Sequence, residues 1–180
     1  MWIHIDDVAV GHTRYFVVSN DAEHEDVVEF LRSPAARERM DCFFADNVAS
    51  LDDRVFVELA QLPRLRAFHM FDCAGVRGIG LGSLVRARFV SLAGGAFAPE
   101  ALFEVASLPE LRALKLARLR LEPEHLAALA AHPRLEHLLV RTDHAIRTDA
   151  LGPFLSEGGT EVQAYPAGAW FYELWVSRQR

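Results

Sequence analysis

The sequence predicts an α/β chain in which a short strand and a return segment recur at a nearly fixed period. Three observations predict it. Residues 62–70, 108–116 and 132–140 align on the same spacing of apolar side chains: Leu65, Phe68 and Met70; Leu111, Leu114 and Leu116; Leu135, Leu138 and Val140. That alternation is the pattern of a strand with one buried face. The paired apolar positions recur as Phe16/Val18, Met40/Cys42, Phe68/Met70, Val90/Leu92, Leu114/Leu116, Leu138/Val140 and Val162/Ala164, in steps of 24, 28, 22, 24, 24 and 24 residues. Between them lie stretches with helical character, several led by proline.

A unit of this kind buries its apolar face only when neighbours stack against it. The return segment at 99–107 opens with Pro99 and Glu100, suited to a first helical turn, and 123–130 repeats the design with Pro123 and Glu124. Residues 51–62 and 27–32 read as further return helices. Pro34, Pro63, Pro109 and Pro133 are expected to end these helices, because proline cannot continue one. Residues 75–83 carry Gly75, Gly78, Gly80 and Gly82 and predict an irregular loop or a single turn. Trp2, Ile3 and Ile5 predict a cap strand over about 1–13 that pairs with the N-terminal edge of the sheet. The aromatic run Trp170, Phe171, Tyr172 and Trp175 predicts a second cap over about 168–180.

The eleventh position of the unit is apolar too, as Phe97, Leu121 and Ala145. The ninth is Cys73 and Asp143 in two units, while Gly95 and Leu119 depart from the pattern. The run Leu-x-x-Leu-x-Leu-x-x-Asn/Cys-x-Leu at a period of roughly 20–29 residues is the leucine-rich-repeat signature. The chain resembles that family over roughly residues 11–170. The resemblance implies one domain over 1–180, a curved solenoid with a parallel sheet on its concave face and short helices and loops on its convex face. The Ala/Arg/Leu-rich usage is similar to that of leucine-rich-repeat proteins of high-GC bacteria.

Composition narrows the function. The 180 residues include 25 acidic and 19 basic side chains, a net charge of −6. That weighs against nucleic acid and against an anionic membrane, and admits a basic protein partner. Cys42 and Cys73 fall at inward positions and read as reduced, buried thiols of a cytoplasmic protein. The N-terminus lacks a basic start followed by an apolar run, so no secretory signal is predicted. No stretch approaches the ~18 apolar residues of a membrane span. The expectation is a complete, soluble, cytoplasmic chain.

The resemblance places partner binding on the concave face. The variable strand positions there are Arg39, Asp41, Phe43 and Phe44; His69, Phe71 and Asp72; Phe89 and Ser91; Lys115 and Arg118; His137, Arg141 and Thr142; and Glu161, Gln163 and Tyr165. The residues expected to bind a partner are Phe43, His69, Phe71, Asp72, Phe89, Lys115, Arg118, His137, Arg141 and Tyr165. Phe43, Phe71 and Phe89 would form an aromatic patch beside a basic zone of Lys115, Arg118 and Arg141, a composition typical of binding hot spots. Two alternatives stand beside this. A one-residue slip would turn some of these Phe side chains into the core, or a terminal segment would cover them.

No pattern points to chemistry. The run from Gly78 to Ser83 matches neither G-x-x-x-x-G-K-[ST] nor G-x-G-x-x-G. None of the eight histidines has zinc-type spacing, and His69 and His137 would lie roughly 10 Å apart. There is no G-x-S-x-G elbow. Asp6, Asp7, Asp52, Asp53, Glu122 and Glu124 read as loop and helix-start acids. The expectation is non-enzymatic protein–protein recognition without cofactor or metal. A specific form is an immunity or antitoxin protein that neutralises a toxin, and the rival is a self-assembling structural protein.

Overall fold

The computed structural model describes residues 2–5, 8–11, 15–18, 20–142, 160–166 and 172–178, with side chains placed for 16–18 and 20–142. Strands β1 (Trp2–Ile5) and β2 (Val8–Gly11) form an antiparallel pair of their own. The predicted N-terminal strand therefore pairs with β2, not with the edge of the main sheet.

The main sheet contains β3 (Tyr15–Val18), β4 (Cys42–Asp46), β5 (Ala67–Phe71), β6 (Phe89–Ala93), β7 (Ala113–Ala117), β8 (His137–Thr142), β9 (Thr160–Pro166) and β10 (Tyr172–Arg178). Strands β3 to β8 are all parallel, and each lies beside the next in chain order. The sheet is open, not closed into a barrel. β10 then pairs antiparallel with β8, and β9 pairs antiparallel with β10 at the far edge. Val162 and Ala164 thus do not form a seventh parallel unit. The C-terminal segment inserts between the last parallel strand and β9, which pairs the edge that β8 would otherwise present.

The crossovers carry α1 (His24–Arg32), α2 (Pro34–Arg39), α3 (Val55–Ala60), α4 (Pro99–Ala106) and α5 (Pro123–Ala130). In α1 the buried side chains His24, Val27, Val28 and Leu31 follow helical spacing. In α4 the buried ones are Ala101, Leu102 and Val105, behind a proline in the first turn. The third crossover has no α-helix, only a 3₁₀ turn at Leu81–Ser83, as its glycines predict. Pro63, Pro109 and Pro133 follow helices as expected; Pro34 also follows one, α1, and in addition starts α2. Ser33 caps it, accepting a bond from the Ala36 N–H at 3.2 Å.

That extra helix explains a register error. Met40 sits at the end of α2, and the strand begins only at Cys42. The inward pair of this unit is Phe43/Ala45, not Met40/Cys42. An odd shift of three residues moves every side chain to the other face. The inward row therefore reads Phe43, Phe68, Val90, Leu114 and Leu138, with Ala45, Met70, Leu92, Leu116 and Val140 two residues on. All join one core with Leu31, Phe56, Leu59, Val105 and Leu129 of the helices. Fully burying a Leu or Phe contributes about 1.5–3 kcal/mol, so this shared core holds each crossover to the sheet.

Four successive parallel strands, β4 to β7, end in the same device. Asn47, Asp72, Gly94 and Arg118 directly follow β4 to β7 and adopt φ of 55°, 50°, 58° and 56°. Each donates its N–H to a carbonyl at the end of the next strand, at 2.8 to 2.9 Å, on Phe71, Ala93, Ala117 and Arg141 respectively. The left-handed turn points the chain away from the sheet while extending the ladder by one bond. Asn, Asp and Gly adopt this conformation readily; Arg118 does so at a strain cost.

Candidate functional site

The face of the sheet opposite the helices carries three rows. The first is Cys42, Ala67, Phe89, Ala113 and His137. The second is Phe44, His69, Ser91, Lys115 and Leu139. The third is Asp46, Phe71, Ala93, Ala117 and Arg141. Cys42, Ala67, Phe89, Ala113 and Leu139 form a second buried apolar cluster on this face.

The expected binding residues divide accordingly. Phe43 faces the helices, 0% exposed, and stacks on Phe68 with ring centroids 5.9 Å apart. It is core, because the α2 insertion shifted its parity. Phe89 does project to the expected face, but it is only 2% exposed. It sits between Ala67 and Ala113, whose small side chains leave room for its ring, and lies 4.8 Å from the His69 ring. His69 is buried as well. Neither is an exposed anchor.

What remains open is the end of this face where the strands finish. Phe44 and Phe71 are half-buried and meet edge to face, with centroids 5.4 Å apart. The His69 ring lies beside both, 5.7 Å from Phe44 and 6.2 Å from Phe71. Phe44 shares this face because the strand begins at Cys42, which puts Phe43 and Phe44 on opposite sides of the sheet. Lys115, His137 and Arg141 are half-buried on the same face. Burial pushes the His137 imidazole below its ordinary range, which favours its neutral form. Arg118 lies past the end of β7, and its guanidinium pairs with Asp72. The expected basic zone is therefore partly neutralised. The side chain of Tyr165 lies outside the described residues, as do Ala145, Asp143, Trp170 and Phe171.

The glycine run is occupied by the protein's own carboxylates. Asp53 Oδ1 accepts the N–H groups of Arg77 and Gly78 at 2.9 and 2.8 Å. Glu104 Oε2 accepts those of Gly80 and Gly82 at 2.9 and 2.8 Å. Each carboxylate comes from a neighbouring crossover. These amides resemble an anion-binding loop because they bind anions, but the anions are side chains of the same chain.

The cysteines are buried, and burial pushes the Cys42 thiol up to about 12 and raises that of Cys73. Such thiols are poor nucleophiles. Glu58, whose pKa is lowered, is held by the hydrogen bond of Arg32 at 2.7 Å, on the helix side. Among the described residues no group of three or more His, Cys, Asp or Glu side chains is placed to hold a metal ion. No described helix is long and apolar enough to cross a membrane. Compared with known proteins, the chain matches no family and no curated protein.

Proposed function

We propose that the chain is a small leucine-rich-repeat solenoid that recognises another protein, in the cytoplasm, through the open end of its sheet face. Support for the solenoid comes from the strand order, which follows chain order without reversal, and from the left-handed turn repeated after four successive strands. Support for recognition rests on one observation, the half-exposed Phe44–Phe71 pair beside the Asp72–Arg118 ion pair. Aromatic side chains flanked by Arg form the centre of many interfaces, and Phe44 and Phe71 both pack against the His69 ring, which in turn packs against Phe89.

The test is affinity capture of the tagged chain from its native cell extract, with a Phe44→Ser/Phe71→Ser/Arg141→Ala variant, verified as folded, as control. One stoichiometric protein retained by the parent and lost by the variant supports the reading. A partner retained equally by both overturns it. The acidic balance of −6 favours a second reading, an immunity protein that covers a basic toxin. That requires the captured partner to be toxic when expressed alone. Self-assembly of this face predicts instead a mass that rises with concentration.

A further inference from the structure

A second surface lies at the other end of the strands, where the chain enters them. Arg66, Arg88 and Arg112 each occupy the position immediately before β5, β6 and β7. Their backbones are directly bonded: Arg88 N–H donates to the Arg66 carbonyl and Arg112 N–H to the Arg88 carbonyl, both at 2.8 Å. The three residues are therefore stacked at the spacing of neighbouring strands, about 4.8 Å. Two residues before Arg66 and Arg88 stand Arg64 and Arg86, and in the loop that enters β8 Arg134 stands two residues before Glu136; all three are exposed. A chain with net charge −6 thus concentrates arginine on one rim.

The carboxylates of this rim are unevenly placed. Glu136 takes Arg112 at 2.7 Å. Glu110 takes Arg134 and faces Arg88 at 3.9 Å. Both lie toward the β7–β8 side; on the other flank Asp41 holds the position before β4, its carbonyl accepting the Arg66 N–H at 2.8 Å. Toward β5 and β6 no carboxylate among the described residues pairs with Arg64, Arg66 or Arg86. Arg64 donates to the Glu38 carbonyl at 3.4 Å, and Arg66 to the carbonyls of Pro63 and Leu65 at 3.4 and 2.9 Å.

We infer that this arginine ladder docks an acidic, extended segment of a partner protein. Its carboxylates continue over Arg64, Arg66 and Arg86 the pairing that Glu110 and Glu136 already make with Arg88, Arg112 and Arg134. The guanidinium fork suits carboxylate and phosphate alike. Two features favour the carboxylate. Glu110 and Glu136 interrupt the rim, and a nucleic-acid strand carries a charge about every 3.4 Å that such interruptions repel. The entry loops at 61–66, 84–88, 107–112 and 131–136 contain no Phe, Tyr or Trp on which bases could stack. The ladder is distinct from the Phe44–Phe71 patch, so either surface can be tested without the other.

The experiment is fluorescence anisotropy at low salt with a labelled peptide alternating glutamate and serine, and in parallel with a labelled single-stranded oligonucleotide. An Arg64→Glu/Arg86→Glu variant is compared with Arg77→Glu/Arg120→Glu, which makes the same charge change on the opposite rim. Peptide binding that weakens about tenfold in the first variant and less than about twofold in the second supports the ladder. No peptide binding, equal weakening by both variants, or tighter binding of the oligonucleotide overturns it. Should the reversals lower the melting temperature, Arg64→Gln/Arg86→Gln provides the same comparison without added repulsion.

Discussion

Arg118 reaches across Gly94 to Asp72: Nη2 of the arginine lies 2.5 Å from Oδ2 of the aspartate, although 46 residues separate them in sequence. The three residues occupy the same turn in successive units. A Cβ on Gly94 would stand 1.9 Å from Asp72 Oδ1. The ion pair therefore uses the space that a glycine leaves.

Gly94→Ala should cost about 1–3 kcal/mol, because φ of 58° is strained for alanine and the new methyl displaces Asp72. In an Asp72→Ala background the same substitution should cost less, since only the backbone strain remains. Asp72→Ala alone should cost under about 1 kcal/mol, as the pair is solvent-accessible. Thermal melts of the four proteins check this, and equal costs in both backgrounds would exclude the steric account.

The three phenylalanines first expected on one surface should separate by stability. Phe43→Ser and Phe89→Ser should each destabilise by about 3 kcal/mol or more, because each vacates a buried site. Phe71→Ser should cost clearly less, its ring being half-exposed. Chemical denaturation distinguishes them, and a Phe71→Ser loss as large as that of Phe89→Ser would mean that Phe71 is core.

Glu104→Ala should loosen the glycine loop, since the N–H groups of Gly80 and Gly82 lose a shared acceptor. The expected cost is about 1–3 kcal/mol, with faster amide exchange at those two residues. Glu104→Gln, which keeps one carbonyl oxygen, should fall between. Unchanged exchange in the alanine variant would show that the loop holds its shape without the carboxylate.

Acidification should destabilise the fold in two stages. Burial holds the His125 imidazole below its ordinary range, and its Nδ1 accepts the Glu122 N–H at 3.0 Å, a bond that requires the unprotonated nitrogen. The unfolded chain takes up this proton near pH 6.5, whereas the folded chain does so only lower. The stability is thus fully present above about pH 6.5 and is lost as pH falls from there toward the folded value. His137 acts in the same direction. Glu58, lowered by Arg32, contributes above about pH 4.3 and loses that contribution as pH falls through its depressed value. His125→Gln preserves an acceptor without titrating, so its melting temperature should decline less between about pH 7 and 5.5. Identical slopes for both proteins would rule out His125 as a contributor.

Sequence pattern and structure part where a local insertion changes strand parity. From Phe68 to Val140 the steps of 22, 24 and 24 residues place the inward pairs correctly. Before that, Ser33 and Pro34 start a second helix inside one crossover, and Phe43 turns from the expected surface into the core. Arg64, Arg66, Arg86 and Arg88 were readable as basic residues just before the strands. Their repetition only becomes a ladder once the entry loops are known to be bonded side by side.

The sequence alone determined the alternation of strands and crossovers, the parallel pairing of the middle units, the helices led by Pro99 and Pro123, and the absence of a helix at the glycine run. These follow from local periodicity and from backbone preferences of proline and glycine, which act over a few residues. The tertiary structure decided the rest. It buried Phe89 between two alanines of neighbouring strands, joined Asp72 to Arg118 across Gly94, filled the glycine loop with Asp53 and Glu104, and placed β10 between β8 and β9. Each of these depends on residues brought together by the stacking of separate units, and no spacing within one unit encodes which side chain of the next will meet it.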